Sequence, residues 1–102
     1  MKVIIVTRHT ALVELLIERK IISEGTCEIL SHVTPDQIEG AHVIGVLPLY
    51  LAAHAQQVTE IPMNLPPELR GLELDIETIR KYAGEPATYQ VTRLPLMKNN
   101  TI

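Results

Sequence analysis

The sequence is poor in cysteine and in aromatic residues: it has one cysteine, Cys27, three tyrosines, and neither tryptophan nor phenylalanine. A single cysteine forms no internal disulfide and no cysteine-based zinc site, so nothing points to an oxidising compartment. So few aromatic residues argue against a surface that stacks single-stranded bases. The net charge of -3 argues against long duplex nucleic acid as a ligand.

Long apolar runs are missing too. The apolar stretch at the start ends at Val6 and is shorter than the ~7 to 15 apolar residues of a signal peptide. No other stretch approaches the ~20 residues of a membrane-spanning helix. We therefore expect a cytoplasmic protein that does not contact membranes. A chain of 102 residues suffices for one hydrophobic core, so we expect a single domain over residues 1–102, with its last few residues flexible.

Negative charge is concentrated in the middle of the chain. Residues 23–78 carry nine carboxylates and one basic residue, Arg70, whereas residues 1–22 and 79–102 are both net positive. A small anionic ligand held near the two ends of the chain is therefore compatible with the negative total.

Strand and helix patterns alternate along the sequence. Val3–Val6 is a continuous β-branched run, typical of a strand covered on both faces. After it, Leu12, Leu15 and Leu16 recur at helical spacing, and we expect Thr10 to cap this helix. The same criteria predict the remaining elements: strands over residues 27–33, 42–47, 59–64 and 88–94, helices opened by Pro35 and Pro48, and a helix over residues 75–82.

This alternation predicts an α/β fold: a single compact Rossmann-like domain whose mainly parallel sheet has four to five strands, with helices on both faces. Placing the first strand centrally, in the order 2-1-3-4, makes the crossovers right-handed. The winding then reverses between strands one and three, which is where open α/β sheets bind ligands. We therefore expect ligand contacts from Thr7–Thr10 and from Pro48–Tyr50.

The segment Thr7-Arg8-His9-Thr10 holds the strongest candidates for chemistry. At a helix N-terminus, Arg8 suits bidentate pairing with a phosphate, and His9 suits proton transfer to or from a hydroxyl or a leaving oxygen. We predict Arg8 and His9 as catalytic, with Thr7 and Thr10 as ligand contacts. In a purely structural alternative, Thr10 caps the helix, Arg8 pairs with a carboxylate and His9 is an ordinary surface residue.

Three further residues are candidates for ligand contact. Ser31 and His32 end the second strand at the same sheet edge, although a structural role for both also fits. Arg70 lies in the rigid loop of residues 66–71, where it could bind a phosphate or pair with a nearby glutamate.

Signatures of metal and nucleotide cofactors are absent from the sequence. The four histidines have no metal-binding spacing, and there is no glycine-rich phosphate loop. We therefore predict no metal and no other cofactor.

Three segments together resemble one family: V-I-I-V-T-R-H at residues 3–9, V-I-G-V-L-P-L-Y-L-A-A at residues 43–53, and L-P-P-E-L-R-G-L-E-L at residues 65–74. Over about residues 2–94 the chain is similar to small CRISPR-associated accessory proteins of type III systems, which are related to CARF (CRISPR-associated Rossmann fold) sensors and regarded as ring nucleases. The resemblance implies a homodimer that binds a cyclic oligoadenylate, above all cyclic tetra-adenylate, and opens the ring to end antiviral signalling. By the same resemblance, Thr7, Arg8 and His9 match the family's opening motif, Pro48 matches its ligand-side turn, and Arg70 matches its proline-rich loop.

Ring opening needs no metal, because the ribose 2'-hydroxyl can attack its own 3'-phosphate if the protein holds the geometry and stabilises the charge. Two alternatives remain. Relatives often carry a histidine where Tyr50, a predicted ligand contact, stands; if that histidine is catalytic in them, this chain binds the messenger without cutting it, or cuts it more slowly. An Arg-His pair after a strand also resembles the signature of histidine phosphatases, although those enzymes need a second histidine and a further arginine in a larger domain.

Overall fold

The computed structural model describes residues 1–96 of the chain. Residues 97–102, where the flexible C-terminal segment was expected, lie outside the described residues. The described part contains, in order, β1 (Val3–Val6), α1 (Thr10–Glu18), β2 (Glu28–Leu30), α2 (Pro35–Ile38), β3 (His42–Gly45), α3 (Leu49–Ala52), β4 (Gln57–Glu60), a 3-10 turn (Pro67–Leu69), α4 (Ile76–Tyr82) and β5 (Ala87–Tyr89).

The strands form one five-stranded sheet in the order β2-β1-β3-β4-β5. β1 pairs in parallel with β2 and β3, and β3 pairs in parallel with β4, whereas β5 runs antiparallel to β4. The predicted α/β class, the mainly parallel sheet and the order of the first four strands are therefore confirmed. β1 lies inside the sheet between β2 and β3, where its four β-branched residues suit a strand covered on both faces.

Helices cover both faces of the sheet, as the sequence predicts. Side chains alternate along each strand, so that neighbouring residues point to opposite faces. On one face Ile5 and Ile44 pack with Leu16 of α1. On the other face the core contains strand residues and residues of α2 and α3, including Ile4, Val43, Val58, Ile38, Leu51 and Ala52. α4 packs on α1, where Ile79 contacts Ala11 and Leu15.

The predicted bounds of the fourth strand are wrong. The strand was expected over residues 59–64, but β4 is Gln57–Glu60 and lies between β3 and β5. Pro62 therefore follows the strand, and its missing N–H removes no hydrogen bond from the sheet. The second and last strands are also shorter than predicted, at three residues each.

The predicted cap of α1 is also wrong. Thr10 is the first residue of the helix, and His9 takes the cap position with extended backbone angles. The reason is a tight turn after β1, in which the Thr7 hydroxyl oxygen accepts a hydrogen bond from the His9 N–H at 3.0 Å. Because of this turn, α1 begins one residue earlier than the sequence predicts, and Thr10 is its first residue.

Gly45 at the end of β3 lies against the backbone of β1. It pairs with Val6 and has a φ of +146°, a backbone conformation that residues with a side chain rarely adopt. A Cβ at this position would collide with the Val6 carbonyl oxygen. The backbones of β1 and β3 therefore approach each other closely at Gly45. No helix within residues 1–96 is long and apolar enough to span a membrane.

Candidate functional site

The carboxyl ends of β1, β2 and β3 meet at one edge of the sheet, and the turn from β1 into α1 lies there. The Thr7 N–H donates to the Leu30 carbonyl oxygen at 3.0 Å, which continues the β1–β2 pairing one residue beyond the strand. Arg8 and His9 follow immediately and are exposed. The sheet therefore presents both side chains at the position where α/β folds bind ligands.

The N-terminus of α1 has unused hydrogen-bonding capacity toward an anion. The helix is nine residues long, and no side chain within residues 1–96 caps it. The first turn of an uncapped helix presents N–H groups without intrahelical partners, and its dipole favours negative charge. Arg8 lies next to this terminus in sequence, so a guanidinium and the helix end are combined at one edge of the sheet.

Arg8 contacts the residue that follows β2 by two positions, His32. The Arg8 Nη2 atom lies 3.3 Å from the His32 Nε2 atom. Since a guanidinium carries only donors, Arg8 must donate and the imidazole nitrogen must accept. Arg8 does not pair with a carboxylate in the described part of the chain, contrary to the structural alternative. The ion pairs found there involve other cations: Lys2–Glu28, His54–Glu39 and Arg80–Glu18.

A cavity of about 420 Å³ opens beside this turn. Thr7, Arg8, His9 and Ser31 supply its polar lining, so the structure brings together four of the residues that the sequence singled out. Most of the remaining lining is apolar: Val6, Leu12, Gly45, Val46, Ile61, Met63, Leu65, Leu74 and Ile79. The arrangement joins an apolar pocket to a cationic, hydrogen-bonding rim.

Two neighbouring depressions share the same rim. One, of about 540 Å³, lies between Arg8, His9 and the loop of residues 71–74, and Glu73 contributes a carboxylate to it. The other, of about 260 Å³, is where Thr10 lies, beside Thr7 and Arg8. Arg8 and His9 therefore border all three spaces. We call the three together the β1 crevice.

Other candidate residues lie apart from the β1 crevice. Tyr50 is 69% exposed and lines a separate cavity of about 430 Å³ with residues that include His54 and Arg93. Pro48 is the N-cap residue of α3 and lines neither the β1 crevice nor the cavity beside Tyr50. The separation arises because α3 begins directly after Pro48 and directs Tyr50 toward residues 91–93, the segment that follows β5.

Arg70 also stands outside the β1 crevice. It ends the 3-10 turn and is exposed, and within residues 1–96 it makes no ion pair. The glutamate pairing considered for Arg70 is therefore not formed in the described part of the chain. Its loop nevertheless reaches the crevice through Gly71 and Leu72, which border the space beside Arg8.

Sequence reasoning missed the apolar wall of the cavity. Leu65 and Leu74 come from the long connection between β4 and α4, and Met63 contacts the same region. Their signal in the sequence is a set of large apolar residues in a proline-rich segment with no strand or helix periodicity. Such residues need burial, yet the sequence does not show which surface provides it.

The clearest electrostatic perturbations lie away from the β1 crevice. Burial lowers the pKa of His42, whose Nε2 atom lies 2.6 Å from the Thr59 hydroxyl oxygen. A hydrogen bond from Arg80 lowers the pKa of the Glu18 carboxyl and links α1 to α4. Across residues 1–96, no three His, Cys, Asp or Glu side chains come together as a group of metal ligands.

Comparison with known proteins gives one result. Residues 4–92 match the model of a family described as "Putative CRISPR-associated protein (Cas_VVA1548)". No curated protein and no solved structure matched the chain.

Proposed function

The chain belongs to the Cas_VVA1548 family of CRISPR-associated proteins, and on that premise we propose that it is a ring nuclease that binds and cleaves a cyclic oligoadenylate. The observation that carries the proposal is the position of Arg8 and His9, between an uncapped helix N-terminus and an apolar cavity of about 420 Å³. The favoured substrate is cyclic tetra-adenylate, and its cleavage would switch off type III CRISPR antiviral signalling.

Arg8 and the first turn of α1 are suited to hold the phosphate. The guanidinium donates charge-assisted hydrogen bonds, and the helix N–H groups add further donors at the same place. These groups stabilise the negative charge that builds on a phosphate oxygen during the reaction. No metal is needed for this step in the proposed mechanism.

His9 is suited to proton transfer. In the proposed reaction the ribose 2'-hydroxyl oxygen bonds to the adjacent phosphorus while the bond from phosphorus to the 5'-oxygen breaks. The 2'-hydroxyl loses its proton and the leaving 5'-oxygen gains one, so the products are a cyclic 2',3'-phosphate and a 5'-hydroxyl. An imidazole can carry either proton, since it changes protonation state near neutral pH.

The apolar cavity is suited to a nucleobase. Ligand cavities usually measure ~300 to 1,000 Å³ and combine apolar walls with a few polar groups. A cavity of about 420 Å³ falls at the small end of that range and holds a single nucleotide rather than a whole ring. The remainder of a cyclic ligand must then lie outside the cavity.

A second copy of the chain is the proposed partner that surrounds the remainder of the ring. Val46 and Leu49 follow β3 at the same sheet edge and are 71% and 75% exposed. Large exposed apolar residues grouped beside a site are typical of contact surfaces. A two-fold dimer through this surface would place two β1 crevices around one symmetric ring.

The second candidate function is binding without cleavage, which would sequester the messenger. It is favoured by the position of Tyr50, which lies in a separate cavity and offers no acid–base group to the β1 crevice. In that case His9 contacts the ligand but transfers no proton.

The experiment that separates these functions is an incubation with labelled cyclic oligoadenylates of several ring sizes in EDTA. A ring nuclease converts cyclic tetra-adenylate into linear products, whereas a sequestering protein binds it tightly and leaves it intact. Rings that stay intact without binding would contradict both functions.

A further inference from the structure

The contact between Arg8 and His32 follows from the register of the sheet. Val6 of β1 pairs with Leu30 of β2, and the pairing continues through the Thr7 N–H and the Leu30 carbonyl oxygen. Two residues beyond that pair, Arg8 and His32 keep the same separation of 24 positions. The parallel ladder therefore brings the two side chains together at its end.

This contact requires one form of the imidazole ring. The guanidinium has five N–H donors and no acceptor, so His32 Nε2 must be free of a proton. The ring is then neutral and carries its proton on Nδ1. A neutral imidazole in water prefers the opposite tautomer, with the proton on Nε2. The contact with Arg8 should therefore change the tautomer of His32, and this change can be measured.

The contact also restrains a long side chain. Arg8 is exposed, and the bond to His32 is the hydrogen bond that its guanidinium makes within residues 1–96. A flexible side chain loses conformational freedom when it binds a ligand, and holding it in place beforehand reduces that loss. The bond uses Nη2, which leaves Nε and Nη1 of Arg8 to donate to a phosphate.

We propose that His32 is a positioning residue, which holds the Arg8 guanidinium at the β1 crevice before the ligand arrives. This inference rests on the proposed function for its effect on cleavage. The contact itself can be tested without any ligand, so that its failure and the failure of the proposed function are distinguishable.

The first test is a long-range proton–nitrogen NMR spectrum of the whole protein, under basic conditions in which imidazole rings are neutral. We expect His32 in the form with its proton on Nδ1 in the wild type, and a shift toward the Nε2–H form in the Arg8→Ala variant. A wild-type His32 that is mainly in the Nε2–H form, or a tautomer that Arg8→Ala leaves unchanged, overturns the inference.

The second test is a double-mutant cycle on the cleavage of cyclic tetra-adenylate. We expect His32→Ala to slow cleavage about tenfold, because an unrestrained Arg8 side chain must first be ordered at the phosphate. His32→Gln should restore most of the rate, because its amide oxygen can accept the bond from Arg8. His54→Ala, which removes another exposed histidine, is the matched control and should leave the rate unchanged.

The double-mutant cycle is completed by combining His32→Ala with Arg8→Ala. A positioning residue that acts through Arg8 has nothing left to act on, so adding His32→Ala should cause no further loss. If the two losses multiply, His32 contacts the ligand itself and the inference is overturned. If the wild type shows the expected tautomer but never cleaves the ring, the proposed function fails and the contact between the two residues stands.

Discussion

Gly45 faces the carbonyl oxygen of Val6 across the β1–β3 pair with no room for a side chain between them. We expect Gly45→Ala to lower the free energy of unfolding by about 2 to 4 kcal/mol, because the Cβ collides with backbone and the φ of +146° is unfavourable for alanine. The measurement is a urea denaturation curve. Gly25→Ala is the control, since Gly25 has a positive φ of +76° but open space around its Cβ position. Equal losses in the two variants would contradict this reading of Gly45.

The hydroxyl of Thr59 connects two polar side chains on neighbouring strands. Thr59 is 5% exposed, and its Oγ1 atom lies 2.6 Å from His42 Nε2 and 2.7 Å from Thr88 Oγ1. Thr59→Val keeps the shape but removes both bonds, so we expect a loss of about 1 to 3 kcal/mol in the free energy of unfolding. Thr59→Ser keeps the hydroxyl and should lose less. The prediction fails if the valine variant is as stable as the wild type.

Stability should fall at mildly acidic pH because of His42. Burial lowers its pKa below the ordinary value of 6.5. Above that value the His42 ring is neutral in both the folded and the unfolded state, so its protonation does not affect the free energy of unfolding. Below it the unfolded chain binds a proton before the folded protein does, so the free energy of unfolding decreases as the pH falls toward the folded-state pKa.

The variant that checks this pH effect is His42→Gln, which can bond to Thr59 without titrating. We expect its free energy of unfolding, measured in denaturant, to depend less on pH just below 6.5 than that of the wild type. The carboxyls of Glu18 and Asp75, whose pKa values are lowered by hydrogen bonds from Arg80 and Thr78, act in a more acidic range. An unchanged slope in His42→Gln would assign the effect to another group.

The proposed dimer can be tested at the apolar surface after β3. Leu49→Asp places a charge on a residue that is 75% exposed in a single copy. If the second copy packs there, the variant should be monomeric by light scattering and should cleave the ring at least tenfold more slowly, since burying an unpaired charge is costly. Ile29→Asp is the matched control, on the edge strand β2 at 51% exposure, and should stay dimeric. A monomeric wild type would contradict the proposal.

The sequence predicts the side of the sheet around β1 better than the side around β4. The four consecutive β-branched residues of β1 identify the strand to the residue, and Pro35, directly after the N-cap residue Thr34, identifies the start of the short α2. β4 was misplaced because the apolar residues around Pro62 look more like a strand than Gln57–Glu60 does. The sequence of β4 is mostly polar. Thr59 can nevertheless be buried there because its hydroxyl bonds to side chains of β3 and β5, and no local pattern in the sequence reveals these bonds.

The site was predictable only in part for a similar reason. The turn from β1 to α1 is local, so Thr7, Arg8 and His9 could be placed at the sheet edge from the sequence. The apolar wall depends on how the connection after β4 folds back toward β1, and this is a long-range event. The separation of Tyr50 from Arg8 also depends on where α3 starts, because beginning the helix directly after Pro48 directs position 50 to a different cavity.

The most direct measurement is the rate of cyclic tetra-adenylate cleavage in EDTA under single-turnover conditions, for the wild type and for His9→Ala side by side. We predict linear products that end in a cyclic 2',3'-phosphate, and a rate about 100- to 10,000-fold lower in His9→Ala with binding largely retained. A wild-type protein that leaves the ring intact, or a His9→Ala variant that cleaves as fast as the wild type, would contradict it.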